Sequence, residues 1–125
     1  MYHLSKRVEI AGSHRLELDY DSPCQNLHGH NWIITVEVEG EVLDQNDMLI
    51  DFSRIKDVIK VMDHENLNDV LPGNPTAEKI AKWVHGAVQS VIISAWLGSE
   101  VPPGPPKVTR VSVQESEGNI VWFTP

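Results

Sequence analysis

Three of the six histidines in this sequence have the side-chain type and the spacing of ligands for one metal ion. His28 and His30 are separated by one glycine, and in an extended segment residues two apart project to the same side. His14 lies just past a predicted strand and returns to the same end if that strand pairs with the next one. Three neutral imidazoles suit Zn²⁺ and leave a fourth position for water or substrate, as in a catalytic zinc site. Paired histidines are also common on protein surfaces, so the motif alone is a weak signal.

Cys24 is the only cysteine of the chain and precedes His28 by four residues. This spacing places a thiol close to the predicted metal, and a nearby cation favours the thiolate form. Two roles remain open for Cys24. It is either the fourth ligand of a closed structural site, or a nucleophile or base beside a metal whose fourth position is free.

Two further groups offer acid–base or binding chemistry. Asp63 and His64 follow a predicted helix, and a carboxylate beside an imidazole can orient it for proton transfer. A salt contact at the helix end is the alternative interpretation of this pair. Glu115 ends a predicted strand, where its carboxylate could hold a planar pair of donors such as an amidine edge, although exposed strand-end glutamates are commoner.

The elements that must position these residues begin with two strands. Apolar residues alternate from Tyr2 to Ile10 and again from Trp32 to Val38, which predicts two half-buried strands. The segment 19–26 between them is rich in turn formers and too long for a tight hairpin loop.

Two helices and a hairpin follow. One apolar helical face predicts a first helix that begins near Asp51 or Ser53 and extends to Met62. A second helix is predicted from Asn74 as its N-cap to a stop by Gly98.

The last part of the chain is a proline-rich spacer, 101–106, and two segments that pair as a hairpin, 107–114 and 120–123. The predicted order is therefore strand, strand, helix, helix, strand, strand. This order favours an α+β fold with a four-stranded antiparallel sheet and two helices on one face, and its outer strands need a partner or a cap.

Length and composition bound the function. The 125 residues predict a single domain over 1–125, and the net charge of −8, with no basic run, argues against nucleic-acid binding. No apolar stretch is long enough for a membrane span, and Met1–Arg7 contains no apolar signal region. A single cysteine indicates a free thiol in a reducing compartment, for which the cytoplasm is the simplest location.

Five segments, in order along nearly the whole chain, resemble the 6-pyruvoyl-tetrahydropterin synthase superfamily. They are Ser13–Leu16, Cys24–Trp32, Asp63–His64, Asn74–Glu78 and Val113–Ser116. The three residues between the cysteine and His-Gly-His resemble the 6-carboxy-5,6,7,8-tetrahydropterin synthases of queuosine biosynthesis, whereas pyruvoyl synthases typically have a longer gap. The resemblance implies the tunnelling fold, in which subunits join edge to edge into a barrel, commonly as trimers stacked into hexamers.

The resemblance also implies roles for the candidate residues. It implies one Zn²⁺ per subunit on His14, His28 and His30, and Cys24 as the catalytic thiol. It further implies Asp63 and His64 as relay partners, from the same chain or a neighbouring one, Glu115 as the pterin anchor and Thr76 as a further pterin contact.

The implied reaction is that of a zinc-dependent lyase. It converts 7,8-dihydroneopterin triphosphate to 6-carboxy-5,6,7,8-tetrahydropterin with loss of triphosphate and acetaldehyde. A triphosphate entering an acidic protein requires local cations, for which Arg15, Lys107 and Arg110 are candidates and a bound Mg²⁺ an aid.

Two other functions remain open. A pyruvoyl synthase or another side-chain-cleaving relative would share every residue and differ only in product. A non-catalytic, zinc-stabilised binding module would use Cys24 as a ligand. The chain departs from the family pattern at Ile10, where Phe is usual, at Gly12, where Ala is frequent, and in segment 101–106.

Overall fold

A computed structural model of the protein describes residues 1–99 and 102–125, so Val101 of the predicted spacer lies outside the described residues. Its strands are β1 (Tyr2–His14), β2 (His28–Gly40), β3 (Glu65–Asn66), β4 (Lys107–Ser116) and β5 (Asn119–Phe123). Its helices are α1 (Phe52–Lys60), α2 (Leu67–Val70) and α3 (Ala77–Ala95), and a short 3₁₀ turn spans Pro23–Gln25.

The strands form one sheet in the order β3-β1-β2-β4-β5. The four long strands pair antiparallel, whereas β3 pairs in parallel with Gly12 and Ser13 of β1. The predicted α+β class is confirmed. The prediction of four strands and two helices is corrected to a five-stranded mixed sheet and three helices, because β3 and α2 are too short to show a hydrophobic period.

Alternate residues of the sheet pack against α1 and α3 and form the core. Ile34, Val36 and Val38 of β2 are at most 1% exposed, and so are Ile55 of α1 and Val84 of α3. Burying side chains of this kind contributes about 1.5–3 kcal/mol each. This core packs against β1 and β2, the two strands that carry the histidines.

Both long helices begin at a side-chain cap. Asp51 accepts the Ser53 N–H at 2.8 Å, and Thr76 accepts the Lys79 N–H at 3.3 Å. The second cap therefore lies at Thr76 and not at the predicted Asn74, because the Asn74 side chain contacts another segment. None of the helices in the described ranges combines the length and apolar character that crossing a membrane requires.

The last two strands form the predicted hairpin. Gly118 lies in the turn with a positive φ of 81°, a conformation that glycine adopts without steric cost. The hairpin places Glu115 beside β2, since Gln114 of β4 lies opposite Ile33.

Candidate metal and catalytic site

The pairing of β1 with β2 brings the three histidines together. His14 lies directly opposite His28 in the antiparallel register, and His30 follows two residues later on the same side of β2. The ring centroids are 4.5 Å apart for His14 and His28, 5.2 Å for His14 and His30, and 4.9 Å for His28 and His30. The rings therefore converge on one point.

Backbone carbonyls orient two of these rings. Nδ1 of His14 lies 2.8 Å from the Pro75 carbonyl oxygen, and Nδ1 of His28 lies 2.7 Å from the Asn26 carbonyl oxygen. A ring nitrogen that faces a carbonyl carries the proton, which leaves the Nε2 lone pair of each ring free. This is the tautomer that a metal ligand needs.

Glu115 completes the cluster. Its Oε1 lies 2.9 Å from Nε2 of His30 and 3.6 Å from Nε2 of His14. Both nitrogens are buried, and within residues 1–99 and 102–125 neither has a partner with hydrogen-bond geometry. A neutral imidazole nitrogen and a carboxylate oxygen are both acceptors, so their approach requires a cation or a proton between them.

Burial favours the neutral form of His14. The residue is only 1% exposed, and desolvation lowers its pKa below the ordinary value of 6.5. The Pro75 carbonyl acts in the opposite direction, and the neighbouring His28 lowers the pKa further. Neutral imidazole is the ligand form, so His14 is ready to bind a metal at neutral pH.

Cys24 lies beside the cluster and not in it. Among the described residues, the possible metal ligands His14, His28, His30 and Glu115 have ligand atoms within 4.8 Å of one another, and Cys24 is not one of them. Cys24 instead lines a pocket of about 450 Å³ together with His28, His30 and Glu115. This arrangement favours a cysteine beside the site over a fourth sulfur ligand.

The comparison with known proteins agrees with this geometry. The family model described as 6-pyruvoyl tetrahydropterin synthase matches residues 3–125. The chain belongs to this family. The structure of the 6-pyruvoyl tetrahydropterin synthase from Caenorhabditis elegans has the same fold, with a TM-score of 0.71 at 22% identity over 99% of this chain and 95% of that one.

Relatives of the family carry more than one name. A Pyrococcus horikoshii protein provisionally named a 6-carboxy-5,6,7,8-tetrahydropterin synthase is 43% identical over 56 residues, which is 45% of this chain and 35% of that protein. The Bacillus subtilis 6-carboxy-5,6,7,8-tetrahydropterin synthase is 27% identical over 99% of this chain and 86% of its own. The Pyrococcus furiosus dihydroneopterin monophosphate aldolase is 34% identical over 75% of this chain and 88% of its own.

The Asp63-His64 pair lies at the edge of the sheet, where it contacts β1. Oδ1 of Asp63 accepts the Ala11 N–H at 2.8 Å, and Oδ2 lies 3.2 Å from Nζ of Lys60 and 3.7 Å from Nε2 of His64. The hydrogen bond from Ala11 holds the pKa of Asp63 below its usual range. Asp63 therefore also has a structural task, which is to fix the edge of β1.

His64 does not line the Cys24 pocket. Its side chain is 82% exposed, and it lines a second pocket of about 470 Å³ at the β1–β3 edge of the sheet. Its backbone has a positive φ of 59°, and its N–H donates to the Ala11 carbonyl at 2.7 Å. Within one chain, the structure does not bring the predicted relay pair to the Cys24 pocket.

Of the three basic residues predicted to bind a triphosphate, only Arg15 lies near the histidine cluster. Arg15 directly follows His14 and is exposed. Lys107 pairs with Glu39, and the strand from Lys107 to Glu115 spans about 26 Å at about 3.3 Å per residue. Arg110 is engaged 3.3 Å from Glu37 and 4.8 Å from the ring centroid of Trp122.

Sequence reasoning missed two features of this site. It did not place Glu115 within contact distance of the histidines, because that contact depends on the register of β2 with β4. It also did not find the side chains that hold the segment after His14. Thr76, the predicted pterin contact, caps α3. It directly follows Pro75, whose carbonyl contacts His14 of the cluster.

Proposed function

We propose that this protein is a zinc-dependent lyase that converts 7,8-dihydroneopterin triphosphate to 6-carboxy-5,6,7,8-tetrahydropterin, with release of acetaldehyde and triphosphate. The observation that carries the proposal is a single pocket that contains Cys24, two histidines of the cluster and Glu115. Family membership and the names of the Bacillus and Pyrococcus horikoshii relatives support it. The product would feed queuosine synthesis in the cytoplasm.

The donor set fits one zinc ion per subunit. Three imidazoles and an adjacent carboxylate are ligands that zinc accepts, and the buried Nε2 atoms of His14 and His30 need a partner. When bound, zinc would polarise ligand oxygens and lower their pKa. A Mg²⁺ ion on the triphosphate would reduce the charge that Arg15 has to balance.

The protein's own residues would bind the pterin and move protons. The Glu115 carboxylate can accept two parallel hydrogen bonds from the amino and ring N–H groups of a pterin edge, and Thr76 would add a contact. Cys24 faces the same pocket and would transfer a proton to or from a side-chain carbon of the substrate. Asp63 and His64 would act as its relay partners.

We assign the two parts of this relay to different subunits, because Cys24 and His64 line different pockets of one chain. The described sheet has two edges that can pair. At one edge β3 covers only Gly12 and Ser13 of β1, and at the other β5 exposes Ile120 and Trp122 by 51% and 58%. Edge-to-edge pairing into a barrel, as trimers stacked into hexamers, would cover both.

A second candidate is the aldolase reaction on a dihydroneopterin monophosphate. The relative that shares 34% identity over most of its length carries this name, and in one chain Arg15 is the only predicted phosphate-binding cation beside the cluster. A monophosphate needs fewer cations than a triphosphate. A pyruvoyl synthase, which eliminates triphosphate without losing carbon, would use the same residues.

The products distinguish these functions. The purified zinc-loaded protein is incubated separately with dihydroneopterin triphosphate and with the monophosphate, and the pterin and the aldehyde are identified by mass spectrometry. Carboxytetrahydropterin with acetaldehyde supports the proposal. Hydroxymethyldihydropterin with glycolaldehyde phosphate supports the aldolase, and a pyruvoyl pterin with triphosphate alone supports the third reaction. No turnover of either compound would favour a binding module.

A further inference from the structure

Two asparagine side chains act as a neighbouring strand for the segment that follows β1. The Asn68 amide accepts the Arg15 N–H at 2.8 Å and donates to the Arg15 carbonyl at 2.9 Å. The Asn74 amide does the same for Glu17, at 2.8 and 2.9 Å. Antiparallel strands exchange the same pairs of hydrogen bonds at alternate residues. The two amides therefore hold the backbone of segment 15–17 in the way that a neighbouring strand would.

Segment 15–17 connects the metal cluster to the thiol. It begins directly after His14, and the Leu16 N–H at its centre donates to the Cys24 carbonyl at 2.9 Å. Leu16 lies between Arg15 and Glu17, the two residues that the asparagine amides clamp through paired hydrogen bonds, so its N–H has a fixed position. The Cys24 loop is thus tied to a segment that both asparagines hold.

Asn74 also directly precedes Pro75, which contacts the histidine cluster. The carbonyl of the following residue, Pro75, orients Nδ1 of His14 at 2.8 Å. Thr76, and not Asn74, caps α3, so the Asn74 amide is free to hold Glu17. The segment 74–75 therefore orients His14 through the Pro75 carbonyl and holds Glu17 through the Asn74 amide.

Only an amide of this length provides one donor and one acceptor for a single backbone residue. Aspartate offers two acceptors, and alanine offers neither. We propose that Asn68 and Asn74 are positioning residues that hold Cys24 in place relative to the histidine cluster. The assignment rests on the proposed function insofar as Cys24 is the catalytic thiol, but the position of the thiol can be measured without turnover.

The test uses Asn68→Asp and Asn74→Asp in the full chain, with Asn46→Asp as the matched control. Asn46 is exposed, and in the described structure its side chain makes no hydrogen bond, so the control adds the same charge without breaking a clamp. The alkylation rate of Cys24 by iodoacetamide is measured well below the melting temperature. Because the chain has one cysteine, this rate reports Cys24 alone.

We expect several-fold faster alkylation in both clamp variants and wild-type alkylation in the control. On the substrate that the protein turns over, kcat should fall about 10- to 100-fold with KM little changed, since a misplacement of about 1 Å has that effect. Folded clamp variants that alkylate at the wild-type rate would overturn the proposal, whatever their melting temperature.

A second measurement needs no variant. Hydrogen exchange of the wild-type protein should show the Leu16 amide protected, because it is bonded to Cys24 inside the clamp. Rapid exchange at Leu16 would contradict the proposal even if both variants fail to fold. If the protein turns over no pterin, alkylation and exchange still decide whether the clamp holds the thiol.

Discussion

The contact between Glu115 and the histidines determines whether a proton or a metal cation can lie between them. Its oxygen lies 2.9 Å from a buried imidazole nitrogen of His30. The same oxygen lies near Nε2 of His14, whose pKa is lowered by burial and whose tautomer is fixed by the Pro75 carbonyl. A bound cation therefore satisfies the His14 nitrogen and the Glu115 oxygen better than a proton does. The residues thus form a site that is suited to a metal.

Replacement of Cys24 by alanine should leave the metal in place and abolish turnover. Cys24 is not in the ligand cluster, so metal content and melting temperature should match the wild type. Loss of a group that transfers a proton should reduce kcat by about 10²- to 10⁴-fold. Metal analysis and product assay check this, with Cys24→Ser as the control that keeps a protic side chain. Loss of metal together with activity would instead identify Cys24 as a ligand.

Asp63 should stabilise the fold in a pH-dependent way. Its folded-state pKa is below the ordinary 3.8, mainly because of the hydrogen bond from the Ala11 N–H. The stabilisation is therefore present above that ordinary value and is lost as the pH falls through the lower folded-state pKa. Asp63→Asn should lower the free energy of unfolding by about 1 kcal/mol at about pH 6 and much less at about pH 3.

Urea unfolding of the metal-free protein at the two pH values measures this difference. A chelator is included so that metal binding does not contribute. Equal stability of the variant and the wild type at the higher pH would show that the negative charge of Asp63 contributes nothing to the fold.

At the scale of elements, α3 both supports the core and begins beside the site. The helix spans 19 residues, and Thr76 caps it while the preceding carbonyl orients His14. The start of α3 therefore affects both the stability of the helix and the orientation of His14.

Removal of the Thr76 hydroxyl should weaken α3. Thr76→Ala deletes the acceptor for the Lys79 N–H and should lower the free energy of unfolding by about 1 kcal/mol, whereas Thr76→Ser should retain most of it. Denaturant unfolding of both variants measures the effect. If the hydroxyl also contacts the pterin, KM should rise in the alanine variant and not in the serine variant. Unchanged stability in the alanine variant would show that the cap is dispensable.

At the scale of the whole molecule, the residues of the proposed site line two pockets that share His30 of the histidine cluster. Cys24 lines the pocket toward β4 and β5, and His64 lines the pocket at the β1–β3 edge. Since the described edges of the sheet are free to pair, the proposed function predicts that Cys24 and His64 meet across a subunit interface.

Mixed assemblies should therefore recover activity. Cys24→Ala and His64→Ala proteins are expected to be inactive alone, and co-refolding them at equal amounts should restore about a quarter of the wild-type activity, because that fraction of interfaces combines two intact halves. Light scattering of the same samples gives the oligomer mass. No recovery in mixed oligomers would place the two residues in the same subunit's site or remove one from the mechanism.

The sequence by itself determined the long elements and the shared strand face of His28 and His30, whereas His14 joins them through the pairing of β1 with β2. Two-residue and helical hydrophobic periods are local properties, so they are readable in β2 and α3 without knowledge of their partners. His28 and His30 share a strand face for the same local reason, and the order of motifs was enough to indicate the family.

Only the tertiary structure decided which distant groups touch. The pairing of Asn74 with Glu17, separated by 57 residues, and of Asp63 with Ala11, separated by 52, depends on how packed elements are aligned. Likewise β3 exists because β1 provides backbone partners for two residues. Such contacts are set by register and by packing across the core, and no pattern among sequence neighbours specifies them.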